Sequence, residues 1–265
     1  MNQSLIELRR KPHTSVSAVR EFMICPKKYF FHYIERAAPE FRPAALAFGS
    51  AWHATIGEWL TKPSVDVQLE ELRQHLRDGI VARLNDDGAN VLFDDADQDE
   101  GSLVDTAVRM LDAFVAHVPR PDKVLAVEAA FSLELNHRQT GEVLPVPLIG
   151  AMDAVVLAGG VGSVWELKTA AKKWSTEQLE HDLQITTYGI AARELGYDGA
   201  RLEFLVVTKT TKAAVQREVA VRHAADEREL VDVVFSVHRA IRAGVDHRAR
   251  SWACATCPYS GACRA

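Results

Sequence analysis

Apolar residues recur every three or four positions through the first half of the chain and shift to alternation or unbroken runs from about residue 123. Residues 15–25 read as a short helix with Ser15 or Ser17 as N-cap, stopped at Cys25 because Pro26 disfavours helix at the residue before it. Pro26 suits the first position of a second helix over residues 27–34. A third, over residues 45–60, gathers Phe48, Trp52, Ile56, Trp59 and Leu60 on one face, with His53 one position off it. Leu69, Leu72, Leu76, Ile80 and Leu84 keep the helical spacing, as do Val104, Val108, Leu111 and Val115, so two more helices flank an acidic stretch. Residues 124–135, 143–157 and 161–168 then read as consecutive antiparallel strands, separated by turn signals at 136–141 and 159–162. A helix over 176–195 ends at Gly196, followed by strands at 201–208 and 214–221 and a helix over 226–243. This order predicts an α/β fold around one core. The sequence contains no internal repeat and no G-x-x-x-x-G-K-[ST] loop, so a built-in nucleotide-driven motor is not expected.

The composition of the 265 residues, 48% hydrophobic and 25% charged, excludes a disordered or collagen-like chain. No run approaches the roughly 20 apolar residues of a membrane span, and the first residues lack a signal-peptide core, so a cytoplasmic protein is expected. The net charge of −5 argues against a polyanionic partner. Yet Asp86, Asp87, Asp94, Asp95, Asp97, Asp99 and Glu100 fall in one stretch without Lys or Arg, and without them the 31 basic residues slightly outnumber the remaining acids. The stretch reads as a solvated loop, or as a local repulsive gate for DNA.

Asp153 lies in an otherwise apolar strand, where an inward carboxylate is costly unless paired or bound to a cation. A hairpin closed near residue 160 brings it opposite Lys168, and Glu166 shares the face of Lys168 because strand side chains alternate. Two carboxylates with open positions suit Mg²⁺ or Mn²⁺, and a neighbouring lysine suits hydrolysis of a phosphodiester. Alone, a Glu-x-Lys is more often a surface pair. Gln184 and Tyr188, at i and i+4, add an amide and a phenol on one helix face. His53 is a candidate ligand, and Glu128 a lesser one. Cys254, Cys257 and Cys263 have C-x₂-C-x₅-C spacing, with Cys25 remote. Four thiolates hold zinc or an iron–sulfur cluster, and three together with one distant partner favour iron.

Taken in order, Cys25-Pro-Lys-Lys-Tyr-Phe, Gly49-Ser-Ala-Trp-His53, Gly150-Ala-Met-Asp153, Glu166-Leu-Lys168, Gln184-Ile-Thr-Thr-Tyr188 and the terminal cysteines resemble the PD-(D/E)XK nuclease superfamily. The similarity is to its RecB-like branch, with the CRISPR-associated exonucleases and AddB-type subunits. The resemblance implies a restriction-endonuclease-like core, a central mixed β-sheet flanked by helices, with an N-terminal helical region and an iron–sulfur staple joining the two ends. It implies Mg²⁺ or Mn²⁺ on His53, Asp153, Glu166 and the Leu167 carbonyl, Lys168 as catalytic lysine, and a [4Fe–4S] cluster on Cys25, Cys254, Cys257 and Cys263. One domain spans 1–265: the first cluster-ligand segment (15–36), a helical region (45–118), the nuclease core (123–221) and a closing segment (226–265).

The expected activity is hydrolysis of DNA, as an exonuclease on single strands or ends in repair, recombination, CRISPR adaptation or phage DNA processing, with a helicase, recombinase or integrase as a candidate partner. Lys172, Lys173, Trp174, Lys209 and Lys212 are candidate DNA contacts. The rival readings are a cluster-stabilised DNA-binding accessory subunit with little turnover, and a zinc-stapled structural protein.

Overall fold

The computed structural model describes residues 3–63, 68–88, 90–93 and 97–265; Asp94, Asp95 and the side chain of Asp87 lie outside the described residues. Ser4 caps α1 (Leu5–Leu8) and Ser15 caps α2 (Val16–Ile24), each hydroxyl accepting a backbone N–H in the first turn. Cys25 is extended and Pro26 opens α3 (Pro26–Tyr29). The second expected helix is not regular: Phe30–Glu35 widen into a π-helical turn that ends at Arg36, with φ 53°. Such turns appear where packing overrides the ladder. Here Tyr29 stacks on Tyr33 and Phe31 lies 5.8 Å from the ring of Tyr259, near the other end of the sequence.

After β1 (Arg42–Pro43) come α4 (Ala44–Thr61), α5 (Leu69–Leu84), β2 (Val91–Leu92) and α6 (Glu100–His117). The three helices meet around Trp52, Trp59 and Phe114, whose rings pack edge to face at 5.8 and 5.3 Å. Among the described residues of the acidic stretch between α5 and α6, short regular pieces appear although the acids are exposed. Residues 86–88 form a 3₁₀ turn, β2 pairs in parallel with β1, and the Asp99 carboxylate accepts the Ser102 N–H at 2.8 Å as N-cap of α6. A negative charge at that end of a helix is stabilising.

The main sheet runs β3 (Lys123–Leu133), β4 (Leu148–Ala158), β5 (Val161–Ala170), β6 (Arg201–Thr208) and β7 (Val215–Ala220), neighbours in that order, with only the β5/β6 pair parallel. β4 starts later than the pattern predicts. Pro145 and Pro147 have no N–H for a ladder, and Val143 makes only an isolated bridge to Asn136. The crossover from β5 to β6 is two helices, α7 (Thr176–Glu180) and α8 (Leu183–Glu194), rather than the single one expected. Asp182 breaks it, since its carboxylate accepts the Ile185 N–H at 2.8 Å and so starts a new helix. α9 (Ala224–Arg242), a 3₁₀ turn at Trp252–Cys254 and α10 (Ser260–Arg264) complete the chain.

Alternation in the strands divides the core into two layers. Trp165, Leu167, Leu205 and Val207 pack with α4, α5 and α6, while Val164, Phe204 and Val206 pack with α2, α8 and α9. The ends are tied together. Lys27 donates its N–H to the His247 carbonyl at 3.1 Å and pairs with Asp246 at 2.8 Å, and Glu40 accepts from Gly261 and Ser260.

Gly150 has a steric role in β4. A Cβ there would lie 2.5 Å from the Phe131 ring, which is buried and packs edge to face on Tyr188 at 6.1 Å. Gly150→Ala is expected to cost about 1–3 kcal/mol by overpacking. Thermal unfolding monitored by circular dichroism would show it as a Tm lowered by roughly 2–4 °C per kcal/mol.

Candidate active site

The site forms where two paired strands part. β4 and β5 are in register up to the pair Ala154–Trp165 and no further, while β4 continues along β3. Side-chain alternation in β4 breaks at the same place: Met152 packs in the α8 layer but Ala154 in the α4 layer. Asp153 sits between them, and its Oδ2 accepts the Leu167 N–H at 2.7 Å, a bond the strand ladder no longer supplies.

Around this fork the structure brings together the six side chains singled out for chemistry. His53, half-buried on α4, approaches Asp153 with Nδ1 3.3 Å from Oδ1. Glu166 is fully buried and forms an ion pair with Lys168. Apart from that pair, neither Glu166 oxygen has a hydrogen-bond partner among the described residues. Lys168 Nζ also donates to Gln184 Oε1 at 2.9 Å, Gln184 Nε2 donates to the Tyr188 hydroxyl at 3.0 Å, and that hydroxyl donates to the Ala151 carbonyl at 2.6 Å. The i, i+4 spacing on α8 therefore orients the lysine against the sheet.

The electrostatics show a deficit of positive charge. Burial, and then the charge of Asp153, push the Glu166 carboxyl up to about 7 against the pull of Lys168. For Lys168 burial works downward, but Glu166 and Asp153 outweigh it and the shift is upward. Burial likewise opposes the His53 shift, and the bond to Asp153 carries it upward. All three groups move toward holding a proton, as expected where carboxylates outnumber cations. As arranged, Asp153 and Glu166 spend their charge on His53 and Lys168. Among the described residues no three His, Cys, Asp or Glu side chains are gathered into a ready metal shell.

Other predicted residues lie apart. Glu128, across β3 from Asp153, has an exposed side chain and a left-handed φ of 48° within the strand. Lys172, Lys173 and Lys212 are exposed. Trp174 is committed to packing, 5.5 Å from the Phe204 ring with its N–H on Gln216, and Lys209 lies 4.9 Å over the Phe48 ring. Cys25, Cys254, Cys257 and Cys263 are all free and line a single cavity of about 480 Å³. Burial first, then the neighbouring Cys25 and Cys263, push the Cys257 thiol up, despite a bond to the Tyr259 backbone and the nearby Lys28. One contact was not anticipated from the sequence: Arg20 on α2 pairs with buried Asp182, locking α2 to the head of α8. The cap role of Asp182, just before an apolar helical run, was the available signal.

The raised Glu166 value has a consequence for the metal-free protein. A carboxyl whose folded value lies above its unfolded one favours the fold at low pH, and that contribution is lost as pH rises from about 4.5 through about 7. In EDTA, Tm is therefore expected to fall across that window, and Glu166→Gln to flatten the fall; parallel Tm–pH curves for the two proteins would contradict the assignment.

Comparison with known proteins adds to this geometry. A model of the PD-(D/E)XK nuclease superfamily matches residues 13–264. No curated protein matches. Among solved structures, that of a candidate exonuclease from Eubacterium rectale is similar, with a TM-score of 0.55 and 14% identity over 91% of this chain and 86% of that one. At that identity the likeness is one of fold. The family match spans nearly the whole sequence and includes the Asp153 and Glu166-Leu-Lys168 strands, so the chain belongs to the PD-(D/E)XK nuclease superfamily.

Proposed function

We propose that this nuclease is a Mg²⁺- or Mn²⁺-dependent DNA exonuclease of the RecB-like branch, acting on single strands or ends. The observation that carries the reading is the fork at Asp153, where a fully buried Glu166 has free oxygen lone pairs and too little positive charge around it. The donors fit a hard divalent cation: carboxylate oxygens from Asp153 and Glu166, the imidazole of His53 and the Leu167 carbonyl, with remaining positions for water and phosphate. A cation bound there supplies Lewis-acid polarisation of the phosphoryl oxygen and a lower pKa for the attacking water.

The chain's own residues do the rest. Gln184 Oε1 holds Lys168 Nζ at 2.9 Å, and Tyr188, itself fixed to the Ala151 carbonyl, holds Gln184. Lys168 is thus restricted to one direction, from which its ammonium stabilises charge growing on the phosphorus oxygens. With Glu166 holding a cation, the charge that Lys168 now pairs with is offset, leaving Lys168 Nζ, still held by Gln184, to face the phosphate. Asp153 keeps the fork open while presenting its other oxygen.

The same reading assigns a [4Fe–4S] cluster to Cys25, Cys254, Cys257 and Cys263. Four free thiols line one cavity and match such a group in number and chemistry, although among the described residues no three of them are gathered into a ready metal shell. The chain would then be one domain closed by its own ends.

Labelled single-stranded DNA in Mn²⁺ tests the site. Lys168→Ala and Asp153→Ala are each expected to slow cleavage by at least about 100-fold with the fold retained, a loss typical of removing a charge-stabilising group; unchanged cleavage would refute the assignment. Substrates with a blocked 5′ end read exonuclease character. Anaerobically purified protein is expected to be brown with about four irons per chain, and zinc in place of iron would overturn the cluster.

A further inference from the structure

Trp252 is the most exposed large apolar side chain among the described residues, at 81%. The other tryptophans are spoken for: Trp52, Trp59 and Trp165 are in the core, and Trp174 packs on Phe204. Leaving an indole in water is unfavourable, by about 25 cal/mol per Å² of apolar surface that stays uncovered. Its surroundings indicate what covers it.

Trp252 follows Arg248-Ala-Arg250-Ser and opens the 3₁₀ turn that leads into Cys254, a turn held by the Ser251 hydroxyl accepting the Ala253 N–H at 3.3 Å. Arg248, Arg250 and Arg264 are exposed and line the cysteine cavity together with Lys28. No Asp or Glu lines that cavity, and residues 247–265 contain none. Lys28 leans toward Glu21 at 3.6 Å. The three guanidiniums, by contrast, have no ion-pair or hydrogen-bond partner among the described residues. Several other arginines are engaged, Arg20 with Asp182, Arg73 with Asp112, Arg193 with Glu227 and Arg217 with Glu203.

A protein-docking patch would need contiguous apolar surface. Within residues 246–265 Trp252 is the one exposed large apolar side chain, and the others at this end of the fold, Met23, Ile24 and Ile34, belong to the segment around Cys25. A solvent-facing ring in a segment that carries three cations and no acid is instead the kind of surface that single-stranded nucleic acid uses, with a base on the ring and phosphates on the nearby charges. The patch is also tied to the catalytic layer. Cys25 ends α2, and Arg20 on that helix pairs with Asp182 at the head of α8, which carries Gln184 and Tyr188.

We infer that Trp252 is a stacking residue for a single-stranded substrate and that Arg248, Arg250 and Arg264 take its phosphates, a secondary contact outside the cleavage site. The inference rests on the nucleic-acid substrate proposed above. It accounts for how a chain with a net charge of −5 holds a polyanion.

The test is fluorescence anisotropy of a 5′-labelled dT 20-mer with the full chain, purified anaerobically and kept in EDTA so that nothing is cut. Trp252→Ala is expected to raise Kd about tenfold, within the range for loss of one stacked base, with iron content and Tm unchanged. Trp252→Phe is expected to restore most of the affinity. The double variant Arg248→Ala, Arg250→Ala is expected to weaken binding and reduce the slope of log K against log salt by about two, one for each phosphate contact. A Trp252→Ala protein that binds within twofold of the parent overturns the stacking role, and an unchanged salt slope overturns the phosphate role. Lys168→Ala, which should fail to cut in Mn²⁺, separates the two readings: adding Trp252→Ala to it should still raise Kd about tenfold over Lys168→Ala alone. If it cuts normally, the catalytic assignment fails while the binding result stands. If the parent binds no oligonucleotide, both fail.

Discussion

Where β5 turns away from β4, the Leu167 N–H loses the carbonyl it would meet in a continued ladder, and a buried amide left without a partner costs about 1–3 kcal/mol. Asp153 Oδ2 replaces that carbonyl at 2.7 Å. One carboxylate therefore does two things: it lets the sheet split without an orphan donor, and it stands at the mouth of the split with an oxygen facing His53. The location of the remaining chemistry follows. Glu166 and Lys168 lie just beside the fork on β5, and Gln184 and Tyr188 approach from the helix that covers that face. The Ala151 carbonyl, on β4 close to the split, anchors Tyr188.

Stability and function oppose each other at Glu166. Burying a carboxylate with a single ammonium, beside a second carboxylate, is costly. The shift of its pKa to about 7 registers that cost. An apolar residue at this position would fit the surrounding core better. The rest of the core, with Trp165 and Leu167 in one layer and Val164, Phe204 and Val206 in the other, offsets that cost by apolar burial elsewhere.

Much of this was legible in the sequence, for identifiable reasons. Helical spacing in residues 45–60 placed Trp52 and Trp59 inward and His53 at the margin, where it meets Asp153. Strand alternation placed Glu166 and Lys168 on one face, and the i, i+4 rule joined Gln184 to Tyr188. Features that depend on contacts between distant residues were not legible. The π turn at Phe30–Glu35 has no local signature, because it accommodates rings that include Tyr259. The break at Asp182 had only its capping chemistry as a signal, and the Arg20 that also holds its carboxylate is remote in sequence. The acidic stretch read as loop because its capping and its pairing with β1 depend on the helices on either side. Trp174, beside two lysines in sequence, looked free for stacking and is instead part of the packing on Phe204.

The tie between the two ends has a consequence for biosynthesis. Lys27 meets residues 246 and 247, and Cys25 shares its cavity with three cysteines that are translated more than 200 residues later. Contacts so far apart along the chain form late, and domains generally acquire structure from the N-terminus as they emerge from the ribosome. The segment from Met23 to Ile34 leaves Met23, Ile24 and Ile34 exposed even in the finished fold, while Tyr29 packs on the core and Lys27 reaches residues 246 and 247. This latch therefore couples the seating of α2, and through Arg20 and Asp182 that of α8, to the segment that carries residues 246–263.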